Sequence, residues 1–133
     1  MAVRECNCRG VAFEIKADLT EVFVCHCSIC RRSSGSNGMA VVVIDNDKFR
    51  WIRGEGLITY WKKPGTDWQK WFCRICGASL PGVNDATRMF VPAGLISEGG
   101  ESLRVKHHIW LGSRAVWDKI GDAGKQHPEA FEK

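Results

Sequence analysis

Seven cysteines fall in three tight clusters, Cys6-Asn7-Cys8, Cys25-His26-Cys27-Ser28-Ile29-Cys30 and Cys73-Arg74-Ile75-Cys76, and no other feature of the chain constrains its folding as strongly. Seven divides naturally into four plus three. Four thiolates close a tetrahedral structural zinc site, whereas three leave one position for water or substrate. The pattern therefore reads as two zinc ions, one a fold staple and one a working metal. A secreted disulfide framework favours an even count, and the start, Met1-Ala2-Val3-Arg4-Glu5, lacks the apolar core of a signal peptide. A thioredoxin-like pair at Cys73 and Cys76 expects a βαβ context and leaves five clustered cysteines unexplained. Buried unliganded cysteine does not produce three clusters at ligand spacing.

At 133 residues the chain is expected to form a single zinc-binding domain, residues 1–133, large enough to bury a core and small enough for metal crosslinks to matter. Its longest unbroken apolar run, Met39 to Ile44, falls far short of the roughly 20 residues that span a bilayer. A soluble, cytoplasmic protein without membrane partners is the expectation. The formal charge of +4 counts the cysteines as neutral. Ionising them and adding two Zn²⁺ leaves the chain close to neutral, so gross charge does not argue for nucleic acid.

Short segments rich in β-branched and aromatic residues predict strands at Val11 to Ile15, Val22 to Cys25, Met39 to Ile44, Phe49 to Ile52, Leu57 to Trp61, Trp68 to Cys73, Met89 to Val91 and Val105 to Leu111. Turn chemistry separates them at Asn46-Asp47, Arg53-Gly54-Glu55-Gly56, Pro64-Gly65-Thr66-Asp67, Asn84-Asp85 and Gly99-Gly100. Helix is scarce. One is predicted over Arg114 to Ile120, capped by Ser113 and stopped by Gly121, and a turn or two around Ser28 to Ser33. The fold class is mainly β, with one or two short helices.

Phe72-Cys73-Arg74-Ile75-Cys76-Gly77 has the form of a zinc knuckle, with glycine where other side chains resist the backbone conformation. Cys6-Asn7-Cys8-Arg9-Gly10 is its natural complement, and a metal joining the two closes a long loop. Spacing alone equally permits Cys6 and Cys8 to join part of the middle cluster. In that cluster Cys25, Cys27 and Cys30 precede Arg31-Arg32, whose cations either offset thiolate charge or receive the carboxylates of an anionic thiol. Ser33-Ser34-Gly35-Ser36-Asn37-Gly38 follows as a small polar loop able to offer backbone contacts. Among the histidines, His26 sits between two ligands and is expected to turn away from their metal. His107 and His108 point to opposite faces of a strand, and His127 lies in a polar tail; no histidine stands out as a fourth ligand.

Taken together, the early CxC, Cys25-His26-Cys27-x-x-Cys30-Arg31-Arg32-x-x-Gly35, Phe72-Cys73-x-x-Cys76-Gly77 and the late His108-Ile109 with Ser113-Arg114-Ala115-x-Trp117 resemble the glutathione-dependent formaldehyde-activating enzyme family, which also includes centromere protein V. The resemblance implies an Mss4-like fold of small antiparallel sheets stapled by zinc. It implies a structural zinc on Cys6, Cys8, Cys73 and Cys76 and a catalytic zinc on Cys25, Cys27 and Cys30; Arg31, Arg32 and Gly35, which follow that set in sequence, are expected to border the substrate. The implied activity is condensation of formaldehyde with glutathione to S-(hydroxymethyl)glutathione, formally a carbon–sulfur lyase run in reverse.

A free thiol of pKa about 8.5 is about 3% ionised at pH 7, so full ionisation gains at most about thirtyfold. Metal-bound thiolate is also a poorer nucleophile, and orientation of the aldehyde must supply more. Three thiolate ligands make a weak Lewis acid, which favours presenting a thiolate over activating water. The main alternative is a non-enzymatic, zinc-stapled binding module for protein or nucleic acid. Trp51 between Arg50 and Arg53, Tyr60-Trp61-Lys62-Lys63 and Trp68-Gln69-Lys70-Trp71 interleave aromatics with cations. On strands the same pattern gives tryptophans facing inward and cations facing out, an ordinary half-buried sheet.

Overall fold

The computed structural model describes residues 3–132. Twelve short strands run β1 (Val3–Glu5), β2 (Ala12–Ile15), β3 (Glu21–Cys25), β4 (Met39–Asp45), β5 (Phe49–Arg53), β6 (Ile58–Lys62), β7 (Gln69–Cys73), β8 (Ser79–Leu80), β9 (Gly82–Val83), β10 (Arg88–Pro92), β11 (Arg104–Ile109) and β12 (Lys125–Gln126). Among the described residues a single α-helix, α1 (Ser28–Ser34), lies between β3 and β4. The mainly β class with small antiparallel sheets is thus found, and all eight predicted strands have counterparts. Among the described residues no helix is long and apolar enough to cross a membrane.

The chain forms two compact units, one of Met1–Asp18 with Val43–Gly99 and the other of Leu19–Val42 with Gly100–Lys133. In the first, β1, β2 and β5 make one three-stranded sheet and β6, β7 and β8 another, while β9 and β10 pair antiparallel. Val11, Phe13, Leu80, Pro81, Val91 and Cys73 are fully buried there. Alternation along β2 turns Phe13 onto Phe49 and Trp51, with ring centroids 5.3 and 5.9 Å away. Burying each such ring contributes about 1.5–3 kcal/mol, so this cluster anchors the sheet. Glu14 lies on the other face and pairs with Arg50 at 2.7 Å.

In the second unit β11 lies between β3 and β12 and runs parallel to both, while β3 pairs antiparallel with the start of β4. Parallel pairing requires a crossover, which the long separation in sequence between β3 and β11 supplies. A register shift between Val105 and His107 sets His107 opposite Phe23 and His108 opposite Val24. Phe23 and His107 stack at 4.9 Å, and Phe131 closes edge-on against both.

Two expectations are corrected. Residues 114–120 contain no helix; the chain makes a 3-10 turn at Leu111–Ser113, passes through Arg114 at φ −59°, ψ 155°, and turns again at residues 116–117, where Asp118 N–H donates to the Ala115 carbonyl. The reason is tertiary. Arg31 Nε donates to the Ser113 carbonyl, Ala115 is buried, and Asn37 Nδ2 donates to Asp118 Oδ2, so the segment is tied down at contacts a helix would not present together. Nor do the tryptophans of β6 and β7 all face inward. Tyr60 and Trp61 are 48% and 49% exposed; they lie on an edge strand, where the register sets Tyr60 opposite Trp71 and Trp61 opposite Lys70 on the other face.

Candidate metal centres

The four-cysteine group is built from two tight turns of the first unit. After β1, Cys6-Asn7-Cys8 folds back so that Arg9 N–H donates to the Cys6 carbonyl, Cys6 N–H to the Val11 carbonyl, and Val11 N–H to Cys6 Sγ at 3.4 Å. After β7 the second turn repeats the device, with Gly77 N–H donating to the Cys73 carbonyl and Cys73 N–H to that of Ala78. Gly77 closes this turn at φ 75°, a left-handed conformation that strains other residues. The sulfur atoms of Cys6, Cys8, Cys73 and Cys76 lie within 4.8 Å of one another. Cys6 to Cys8 is 3.6 Å and Cys8 to Cys73 is 3.7 Å. Four sulfurs at about 2.3 Å from a tetrahedral zinc stand about 3.8 Å apart, so the donor set fits that ion. These distances are far beyond the roughly 2.05 Å of a disulfide, and all seven cysteines are free thiols.

The three-cysteine group belongs to the second unit. Cys25 ends β3, Cys27 is the N-cap of α1 in extended conformation, and Cys30 is buried in the first turn of the helix. Cys30 N–H donates to Cys27 Sγ at 3.3 Å. The three sulfurs again lie within 4.8 Å, and among the described residues no fourth His, Cys, Asp or Glu joins them. This set also suits zinc, with one tetrahedral position for a ligand from outside the chain.

Proton sharing within each group bears on its affinity for a cation. In the first, the backbone N–H groups of Ala78 and Cys8 bring the Cys76 thiol down to about 6. The Gly10 N–H lowers the Cys8 thiol, but burial and the sulfurs of Cys6, Cys73 and Cys76 together push it up to about 11. In the second, the Cys30 thiol and then the Cys27 N–H bring Cys25 down to about 6. Its hydrogen bond with Cys25, then burial, hold Cys30 far above the usual thiol range. Sulfurs this close cannot all ionise by themselves, and a divalent cation removes the conflict.

Of the other predicted site residues, Arg31 is half-buried and its Nε is engaged by the Ser113 carbonyl, while Arg32 is exposed. Gly35 caps α1 at φ 67°, its N–H donating to the Arg31 carbonyl; helix termination accounts for this glycine. Ser34 Oγ donates to the Gly38 carbonyl and shapes the polar loop. As expected, His26 turns inward, and it is wholly buried. Its Nε2 lies 2.8 Å from Nδ1 of buried His108, and His108 Nε2 lies 2.9 Å from Asp122 Oδ1. Burial, then His108, lowers the His26 imidazole. Sequence reasoning missed this chain, along with Asp118, whose carboxylate is 3.6 Å from His26 Nδ1. Only the flanking cysteines singled His26 out; His108 stood out as a strand histidine, but nothing local linked it to His26 or marked Asp118 and Asp122. His127 is also buried rather than part of an exposed polar tail.

Comparison with known proteins adds three findings. No curated protein matches the chain in sequence. A crystal structure of a Rhodobacter sphaeroides protein is similar in fold, with a TM-score of 0.57 and 22% identity, covering 73% of this chain and 89% of that one. The family model described as glutathione-dependent formaldehyde-activating enzyme matches residues 1–113, a stretch that includes all seven cysteines, and the chain belongs to that family.

Proposed function

We propose that the protein is a zinc-dependent carbon–sulfur lyase/synthase that joins a small anionic thiol, glutathione or a close relative, to an aldehyde such as formaldehyde. The observation that carries this reading is the three-sulfur set of Cys25, Cys27 and Cys30, which no fourth described side chain joins. Cys6, Cys8, Cys73 and Cys76 hold the structural ion, and the middle set holds the catalytic one. Zinc on the middle set supplies the means of keeping an added thiol ionised at neutral pH.

The chain's own residues supply the rest. Cys30 N–H stabilises charge on Cys27 Sγ, and α1 carries the exposed Arg32 guanidinium one turn beyond Cys27, available to a carboxylate of the thiol substrate. Arg31, with Nε held by Ser113, positions the neighbouring segment while its terminal nitrogens face the same task. Gly35 ends α1 and leads into the loop of residues 36–38, whose backbone borders a peptide-like ligand. In the reaction the thiol sulfur bonds to the carbonyl carbon, the C=O π pair moves to oxygen, and that oxygen takes the proton the thiol gave up. A reducing compartment, the cytoplasm, suits seven free thiols and a glutathione substrate.

Exchange NMR tests the activity. With ¹³C-formaldehyde and glutathione at equilibrium, the zinc-loaded protein should accelerate exchange between free aldehyde and S-(hydroxymethyl)glutathione, and Cys27→Ser should not. Equal exchange rates with and without the wild-type protein would remove catalysis from this reading. A second reading, a binding module, is favoured only by the half-exposed Tyr60 and Trp61 beside Lys62 and Lys63.

A further inference from the structure

Buried His26, which lies between Cys25 and Cys27 in sequence, and buried His108 form a directed chain. Asp122 Oδ1 accepts from Gly124 N–H at 2.8 Å and from His108 Nε2 at 2.9 Å. A carboxylate only accepts, so His108 carries its proton on Nε2 and, with the ring neutral, accepts at Nδ1. His26 Nε2 therefore donates to His108 across 2.8 Å. His26 Nδ1 is left without a hydrogen bond, facing Asp118 Oδ2 at 3.6 Å. The His26 backbone N–H donates to the Ile109 carbonyl at 2.9 Å, so the residue is held at ring and main chain alike.

That anchoring bears on the sulfurs because of where His26 sits. Cys25 ends a strand and Cys27 is extended, and side chains of successive extended residues point to opposite sides. Fixing the His26 ring inward therefore turns Cys25 and Cys27 outward on one side. A wholly buried imidazole is costly to desolvate, and alanine or leucine would fill a core more cheaply. The two carboxylates come from Asp118 and Asp122, beyond the residues matched by the family model.

We propose that His26 and His108 are positioning residues for the Cys25, Cys27 and Cys30 metal set, with Asp122 fixing the direction of their hydrogen bonds, so that residues 114–124 help determine how tightly this set alone holds its ion. The proposal rests on the reading that this set binds zinc, and adds that residues which touch no metal govern its affinity. Groups hydrogen-bonded to metal ligands typically change affinity ten- to a hundredfold when removed; His26 acts on the sulfurs through the backbone it shares with Cys25 and Cys27, which sets the lower end of that range as the expectation.

Cadmium-113 NMR with chelator competition on the full chain tests this, because ions held by four and by three sulfurs give separate signals. His108→Ala should lower affinity at the three-sulfur set at least tenfold, leaving the four-sulfur signal and its affinity unchanged. His108→Gln, which can accept from His26 and donate to Asp122, should restore most of the loss. Asp122→Ala, at a side chain 41% exposed, should retain the fold and lower affinity several-fold at the same set. Unchanged affinity in His108→Ala, or an equal loss at both sets, overturns the positioning role alone. If the wild-type three-cysteine set takes no metal, the functional reading falls with it. If metal binds and responds as expected but no thiol joins it, the functional reading fails and the positioning role stands.

Discussion

The sulfurs of Cys8 and Cys73, 65 residues apart in the chain, lie 3.7 Å from each other. A crosslink closing a loop of that length is worth about 4 kcal/mol in unfolded-state entropy. Cys73 and Cys6 of the same group cluster with Val11 and Leu80, and Trp51 and Trp71 pack against them, so the metal group and the apolar core of this unit are one structure. Cys76→Ser should therefore leave the protein poorly folded, because loss of a four-thiolate site is loss of folding free energy. Cys30→Ser should lower the melting temperature much less. Calorimetry of both variants in metal-replete buffer checks this, and equal damage would contradict the division of labour.

Arg32 is the exposed cation closest in sequence to the three-cysteine set that no backbone contact engages. Arg32→Ala should weaken glutathione binding by about 1.5–3 kcal/mol, the worth of a hydrogen bond to a charged group, without releasing metal. Isothermal titration together with metal analysis separates the two effects.

The end of the chain is held by a buried imidazole that must stay neutral. Glu132 N–H donates to His127 Nδ1 at 3.3 Å, and His127 Nε2 meets His107 Nδ1 at 3.0 Å. Burial, then the neighbouring Lys125, lowers this histidine from its ordinary 6.5. The released tail thus takes a proton more readily than the docked one. Docking is fully stabilised above about pH 6.5 and weakens as pH falls through that value towards the lower docked one. NMR signals of Phe131, which packs on His107 and His127, should shift towards free values over that range. His127→Gln should flatten the dependence.

Asp85 makes a complementary acid-side case. Its carboxylate accepts from the Arg88 guanidinium and from the Thr87 and Arg88 backbone N–H groups, and those bonds, Arg88 first, hold it well below the ordinary 3.8. Its contribution is present above that value and is lost as pH falls through the depressed one. Asp85→Ala should destabilise the protein at pH 7, and its difference from wild type should shrink steadily below about pH 4 in urea titrations.

The three cysteine clusters were legible because ligand spacing and tight-turn chemistry are local, but their spacing left open which clusters join, and only the family resemblance implied the pairing of the first with the third. The strands were legible because β-branched runs such as Met39 to Ile44 have few other uses. Long-range relationships were not. The His26–His108 hydrogen bond joins residues 82 apart, and no pattern near either announces the other. Residues 114–120 carry helix-compatible sequence, yet contacts from Arg31 and Asn37 outweigh a weak propensity that short helices cannot convert to stability. Alternation along one strand could not foresee the register that sets Trp61 opposite Lys70, on the face away from Trp71.

Cobalt substitution examines the open three-sulfur set most directly. On adding glutathione to the cobalt-loaded protein, the thiolate-to-metal absorption should grow in proportion to one added sulfur per chain. No such change should occur with S-methylglutathione or in Cys27→Ser. An unchanged spectrum at millimolar glutathione, with both metal sets occupied, would contradict the account.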